Sequence, residues 1–209
     1  MSRTLTFDTL LHALGGRGDS QQTSLAIRAS AVCFMTLLTA AAAQVSFSIP
    51  LTPVPLTMQP MVVLMAGLVL GPQLGMMSQV LYLASGFAGL PVFAVSPTLP
   101  MGVARLLGPT GGYLMAYPLA AFVTGALARR GFDRRYLTTV AAMVAGLLVI
   151  YACGVLWLGF FARGTTPSVP SGIAGALAAG VYPFLIADLL KVLAAGGTTP
   201  ALWRLLGRT

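Results

Sequence analysis

Glutamate is absent from this sequence, and lysine and histidine each occur once. The acidic residues are four aspartates, Asp8, Asp19, Asp133 and Asp188. Charged residues make up 8% of the chain, against roughly 25% in an average soluble domain. A water-facing surface needs far more charge than this, so a soluble fold is excluded. The lone histidine, His12, lies outside every long apolar run, and Cys33 and Cys153 stand far apart within such runs. No disulfide framework or zinc site can be assembled from these parts. No serine or cysteine has a base within a recognisable motif, which removes the hydrolase reading. The glycine-rich GPTGGY at 108–113 lacks the Lys-Ser/Thr ending of a phosphate-binding loop. Its bland reading is a helix start with Pro109 in the first turn. The sequence therefore reads as a protein that is not an enzyme and carries no cofactor or metal.

What is present is apolar: 57% of residues are hydrophobic. The net charge of +8 does not indicate a nucleic-acid partner, because the arginines sit between apolar runs and not on a wettable basic face. A transmembrane helix needs about 20 mostly apolar residues, and six stretches approach or reach that length: 25–47, 56–70, 73–90, 111–128, 137–161 and 173–195. Gly71-Pro72 separates the second from the third, since proline has no backbone donor and glycine relaxes the helix. The expected fold is an all-α integral membrane protein, one domain over 1–209 forming a compact bundle of six transmembrane helices, preceded by a polar N-terminal segment, 1–24. That segment does not read as a cleaved signal, because His12, Arg17 and Asp19 interrupt it before any long hydrophobic core begins.

Arginine sets the orientation, since positively charged loops are retained on the cytoplasmic side. Arg3, Arg17 and Arg28 precede the first span. Arg129, Arg130, Arg134 and Arg135 join the fourth and fifth, and Arg204 and Arg208 follow the sixth. These clusters share one side only if the span count is even. The expectation is a multi-pass protein of the cytoplasmic (inner) membrane with both termini inside, leaving Arg163 and Arg105 towards the outer side. Two outer connections stand out. IPLTPVPLTMQP at 49–60 has four prolines and too few free donors to be a helix, so it reads as a stiff extended loop. The connection at 86–110 is apolar yet rich in Gly and Pro, a pattern tolerated at membrane depth only where backbone is buried in protein or lines a cavity.

The sharpest chemical feature is YPFLIADLLKV in the sixth span. Asp188 and Lys191 are three residues apart, hence on one helical face. Lys191 is the single lysine, and Asp188 is the single acidic residue within a span. Ionisable groups at membrane depth are costly unless they face a polar interior, so they mark function by default. Two structural alternatives stay open: a packing ion pair, and a Lys191 that snorkels to the inner surface. Arg105, in an apolar outer loop, is a further binding candidate or else an exposed loop charge. Tyr113 and Tyr82 offer an aromatic wall with hydrogen-bonding tips, or interfacial anchors. Trp157 and Trp203 read as interfacial anchors. In the first span, Ala26 with Ser30 and Thr36 with Ala40 are small residues four apart, a spacing that admits close approach of another helix. That helix belongs to a partner, to a second copy, or to this chain's own bundle.

Several motifs together resemble the BioY family, the biotin-specific substrate-binding (S) components of energy-coupling factor (ECF) transporters. They are IPLTPVPLTMQ from Ile49 to Gln59, GLPVFA from Gly89 to Ala94, GPTGGYLMAYPLAAF from Gly108 to Phe122, and YPFLIADLLKV from Tyr182 to Val192. The resemblance implies a six-helix bundle that takes biotin from outside, with the loop carrying Pro53 and Pro55 as a lid. It implies partnership with a membrane coupling (T) protein and ATPases, although some relatives work without them. It maps the acid and lysine of a D-x-x-K motif onto Asp188 and Lys191. Arg105 carries over less directly, because VSPTLPMG at 95–102 departs from the glycine-rich pattern expected there. A competing reading is a self-sufficient secondary transporter of biotin or another small carboxylate vitamin, with Asp188 as proton carrier.

Because no complete phosphate-binding motif is present, the purified chain alone is expected to hydrolyse no ATP. Sustained phosphate release in a coupled assay, free of other subunits, would contradict this reading.

Overall fold

The computed structural model describes residue 10 and residues 21–49, 52–95, 102–162 and 172–206. Most of the polar N-terminal segment, the stretch 96–101 of the second outer connection, Arg163 and Arg208 lie outside the described residues. The order of elements is α1 (Gln21–Gln44), β1 (Ser46–Phe47), β2 (Leu56–Thr57), α2 (Gln59–Leu70), α3 (Pro72–Phe87), α4 (Val103–Leu107), α5 (Gly111–Ala128), α6 (Tyr136–Phe160), α7 (Gly172–Gly180), α8 (Tyr182–Ala195) and α9 (Thr198–Leu205).

Four segments are long and apolar enough to cross a membrane: Leu25–Gln44, Gly111–Ala128, Tyr136–Phe160 and Tyr182–Leu205. The expected second and third spans are shorter, as helices of 12 and 16 residues. At 1.5 Å per residue they are about 18 and 24 Å long, less than the ~30 Å of a hydrocarbon core. Gly71 parts them with φ 82°, a backbone region that glycine enters without strain. Pro72, with no N–H to give, then begins α3.

The expected sixth span is broken. Pro183 cannot donate to the Ala179 carbonyl, and the backbone N–H groups of Phe184 and Leu185 both turn to the Val181 carbonyl, at 3.0 Å each. The helix is therefore interrupted at Val181, between α7 and α8, and the Gly180 carbonyl loses its partner along the helix. The Tyr113 hydroxyl supplies one, at 2.9 Å. A local proline thus generates a long-range tie between α5 and the start of α8.

α5 lies against α2, α3 and α6, while α1 covers α2 and α3. Close approach is possible because glycine stands at the crossings. A Cβ on Gly67 would lie 2.1 Å from the Thr124 Oγ1 and 2.2 Å from the Ala121 carbonyl oxygen of α5. A Cβ on Gly125 would lie 2.5 Å from the backbone of Gly71 and Pro72. Val63, Leu64, Leu68, Ala120, Ala121, Met143, Leu147 and Ile150 fill the core. The outer faces are apolar too, with Leu37, Leu148, Leu185 and Ile186 turned outward. Helices apolar on both faces belong in lipid.

The loop between β1 and α2 is extended, as its prolines require. It forms a hairpin in which Ser46 pairs with Thr57 and Phe47 with Leu56. Elsewhere two expectations change. Trp203 is not an interfacial anchor: it is buried, and its indole N–H donates to the Asp133 carboxylate at 2.6 Å. The Arg134 guanidinium lies 3.5 Å over its ring, and burial pushes the Asp133 carboxyl above its usual range although Trp203 and Arg134 oppose the shift. On α1, Thr36 is buried and its hydroxyl reaches the Ser78 carbonyl of α3 at 2.9 Å. Ala40 packs against this chain's own core, whereas Ala26 and Ser30 remain exposed.

Gly67→Ala should lower the melting temperature in detergent, because overpacking a tight crossing costs typically about 1–3 kcal/mol. Gly159→Ala, whose added Cβ finds its nearest neighbour at 3.5 Å, should leave it nearly unchanged. Equal melting of both variants would contradict the packing described.

Candidate functional site

α8 carries Asp188 and Lys191 on one face, and the structure brings two further groups to them. The Lys191 Nζ lies 2.7 Å from the Asp188 Oδ1 and donates to the Thr57 carbonyl, also at 2.7 Å. The Tyr151 hydroxyl donates to the Asp188 Oδ2 at 2.7 Å. Both carboxylate oxygens are therefore engaged, as burial of this charge requires. Lys191 does not snorkel away: its head is held between α8 and the hairpin. The ion pair is structural in that it satisfies a buried charge. Asp188 also lines a cavity, so the two readings of the pair coexist.

Two small cavities of about 40 and 50 Å³ lie beneath the hairpin. Val54, Pro55, Thr57, Tyr113 and Tyr117 line both, which makes them two lobes of one pocket. Arg105, Gln59, Thr110, Phe93 and Ala94 complete the first lobe. Asp188, Tyr151, Ile150, Gly180 and Phe184 complete the second. Each lobe has room for a few waters at most, so a larger organic ligand requires the walls of the pocket to move. The positive end of the pocket is Arg105 and the negative end is Asp188.

Arg105 is 3% exposed, although it sits on the short α4, within the connection between α3 and α5. One guanidinium nitrogen donates to the Ala94 carbonyl, and Nη1 has no hydrogen-bond partner among the described residues. Burial pulls its pKa below the ordinary guanidinium value, which starts so high that the group stays charged. The short α4 follows Gly102, whose φ is 66°. The loop beyond α4 is pinned by the Trp157 indole, which donates to the Gly108 carbonyl at 2.9 Å.

Of the residues expected from sequence, Asp188, Arg105, Tyr113 and Pro55 line the pocket. Lys191 stands behind Asp188 and holds the hairpin, while Pro53 belongs to the hairpin without lining either lobe. Tyr82 lies behind the wall. It is fully buried, accepts from the Gln59 Nε2 at 2.7 Å, donates to the Val92 carbonyl at 3.2 Å and meets the Phe93 ring edge-on. Sequence reasoning missed Gln59, Thr110, Tyr117 and Tyr151. Tyr117 had a usable signal, one helical turn from Tyr113 on the same face. Tyr151 had none, because its partner is 37 residues away.

An all-helical bundle with several membrane-length helices, enclosing a small pocket with opposite charges at its ends, defines a ligand-binding integral membrane protein. Comparison with known proteins narrows that class. A family model described as the BioY family matches residues 19–208. The chain is 44% identical over 162 residues to the "Probable biotin transporter BioY" of Pyrococcus horikoshii, covering 78% of this chain and 87% of that one. It is 40% identical over 148 residues to the "Biotin transporter BioY" of Thermotoga maritima, covering 71% and 80%. A crystal structure titled as the S-component for biotin from an ECF-type ABC transporter superposes with a TM-score of 0.74, covering 90% of this chain and 95% of that one at 24% identity. That likeness concerns the fold. The chain belongs to the BioY family.

Lys191→Met removes the charged donor to the Thr57 carbonyl, a class of hydrogen bond worth roughly 1.5–3 kcal/mol. Amides of residues 46–57 should then exchange with deuterium markedly faster, while those at the α2–α5 crossing do not. Unchanged exchange in the hairpin would show that Lys191 does not hold it.

Proposed function

We propose that this chain captures biotin at the outer face of the membrane for uptake, as the substrate-binding subunit of an ECF-type vitamin transporter. The observation that carries the reading is the two-lobed pocket with Arg105 at one end and Asp188 at the other. Biotin is built to match: a neutral ureido ring with two N–H donors at one end and a carboxylate tail at the other, joined by apolar groups. The Asp188 carboxylate retains lone pairs beyond those used by Tyr151 and Lys191, so it can accept from the ureido N–H groups. The free nitrogen of Arg105 can take the carboxylate, and charge-assisted bonds of both kinds are the strong ones. Phe93, Leu114 and Ile150 supply the apolar wall between. Binding and release need no covalent chemistry.

In this reading the hairpin carrying Pro53 and Pro55 is the lid. The chain takes six membrane passages, with α2 and α3 as short, protein-buried crossings. Both termini and the arginine-rich turn at 129–135 face the cytoplasm, in keeping with the arginine distribution. A membrane coupling protein and ATPases act as partners, and the exposed Ala26 and Ser30 on α1 are the small residues open to a partner helix. An Asp188 already paired with Lys191 and Tyr151 favours ligand binding over a proton-carrier role.

Mass spectrometry of ligand retained by the purified chain should detect biotin, and recovery of a different vitamin would overturn the assignment. Asp188→Asn should weaken biotin binding on the order of ten- to a hundredfold. Arg105→Gln should weaken biotin more than biotin methyl ester, which lacks the charged tail. Equal losses for acid and ester would remove Arg105 from the carboxylate end.

A further inference from the structure

We infer that the Tyr117 hydroxyl reads the carbonyl oxygen of the ligand's ureido ring, making Tyr117 a specificity-determining residue of the pocket. The inference rests on the biotin reading above and assigns a group that it left out. In a ureido ring the carbonyl lies between the two N–H groups. If Asp188 accepts from either N–H, the carbonyl oxygen must fall within the same lobe, against that lobe's other polar groups. Those are the Thr57, Tyr113, Tyr117 and Tyr151 side chains.

Three of the four hydroxyl protons are already committed. Thr57 Oγ1 is paired with the Gln59 Oε1 at 3.3 Å, Tyr113 donates to the Gly180 carbonyl, and Tyr151 donates to Asp188. Tyr117 makes no hydrogen bond among the described residues, although its side chain is 4% exposed. Tyr117 lines both lobes, so a hydroxyl that no protein group engages is left to meet whatever fills the pocket, water in its absence and ligand when bound. Its position is also prepared. Tyr117 stands one turn from Tyr113 on α5, and its ring stacks on Tyr82 at 6.4 Å with 28° between planes. Tyr82 is in turn held by Gln59 and Val92. A donor fixed in this way needs no rearrangement to meet a carbonyl, which is how a site comes to discriminate against analogues lacking one.

The test is biotin binding by the full chain carrying Tyr117→Phe, which deletes one oxygen and keeps the ring, with 2-thiobiotin as the second probe. The thione analogue is neutral and puts a weaker acceptor where biotin has its carbonyl oxygen, with no donor added there. Tyr117→Phe should bind biotin roughly tenfold more weakly, lose clearly less affinity for 2-thiobiotin, and melt at the unmodified temperature. Unchanged biotin affinity, or equal losses for both ligands, would overturn the inference. If the variant does not accumulate, the unmodified chain decides: it must prefer biotin over 2-thiobiotin by at least about tenfold, and equal affinities would overturn the inference. Failure of the unmodified chain to bind biotin at all would overturn the vitamin reading, and this inference with it, which separates the two failures.

Discussion

A carboxylate enclosed by apolar helices is the constraint to which the rest of the site answers. Left alone, the Asp188 charge would cost several kcal/mol. It is made tolerable by Lys191 on the same helix face and by the Tyr151 hydroxyl from α6, one on each carboxylate oxygen. Lys191 in turn needs a second acceptor, and the Thr57 carbonyl of the hairpin provides it. The requirement to satisfy one charge therefore joins α6, α8 and the hairpin, so that the pocket's chemistry and the hairpin above it share a single hydrogen-bonded unit.

The same logic recurs on a smaller scale wherever backbone is interrupted. Pro183 breaks what would be one long helix and strands the Gly180 carbonyl, which the Tyr113 hydroxyl then occupies. The break thereby commits the Tyr113 proton to structure. Arg105 is answered differently: one guanidinium nitrogen donates to the Ala94 carbonyl, and Nη1 has no hydrogen-bond partner among the described residues. Arg105 lines the lobe that Asp188 does not, so the two charges stand at opposite lobes of the pocket.

Glycine and small residues make the enclosure possible. The contacts of Gly67 and Gly125 with α5 and the Gly71–Pro72 turn leave no space for a side chain, and they bring α2, α3 and α5 together without large side chains between them. With the crossings so tight, the Thr36 hydroxyl donates to the Ser78 carbonyl and the Gln79 amide N–H to the Thr39 hydroxyl between α1 and α3, acting as interhelical glue of the kind membranes favour.

Much of this was legible in the sequence because the signals are local. Scarcity of charge and long apolar runs dictate a membrane environment, four prolines dictate an extended segment, and a three-residue spacing puts Asp188 and Lys191 on one face. Only tertiary structure decided what those groups meet. Tyr151 finds Asp188 across 37 residues and Lys191 finds Thr57 across 134, separations over which no periodicity carries information. For the same reason Trp203, read as an interfacial anchor, proves to be buried against Asp133. Tyr82 stands behind the pocket wall, and Thr36 and Ala40 pack within the chain. Helical spacing tells which residues share a face; which neighbour that face meets depends on crossings and chain breaks that only the folded bundle defines.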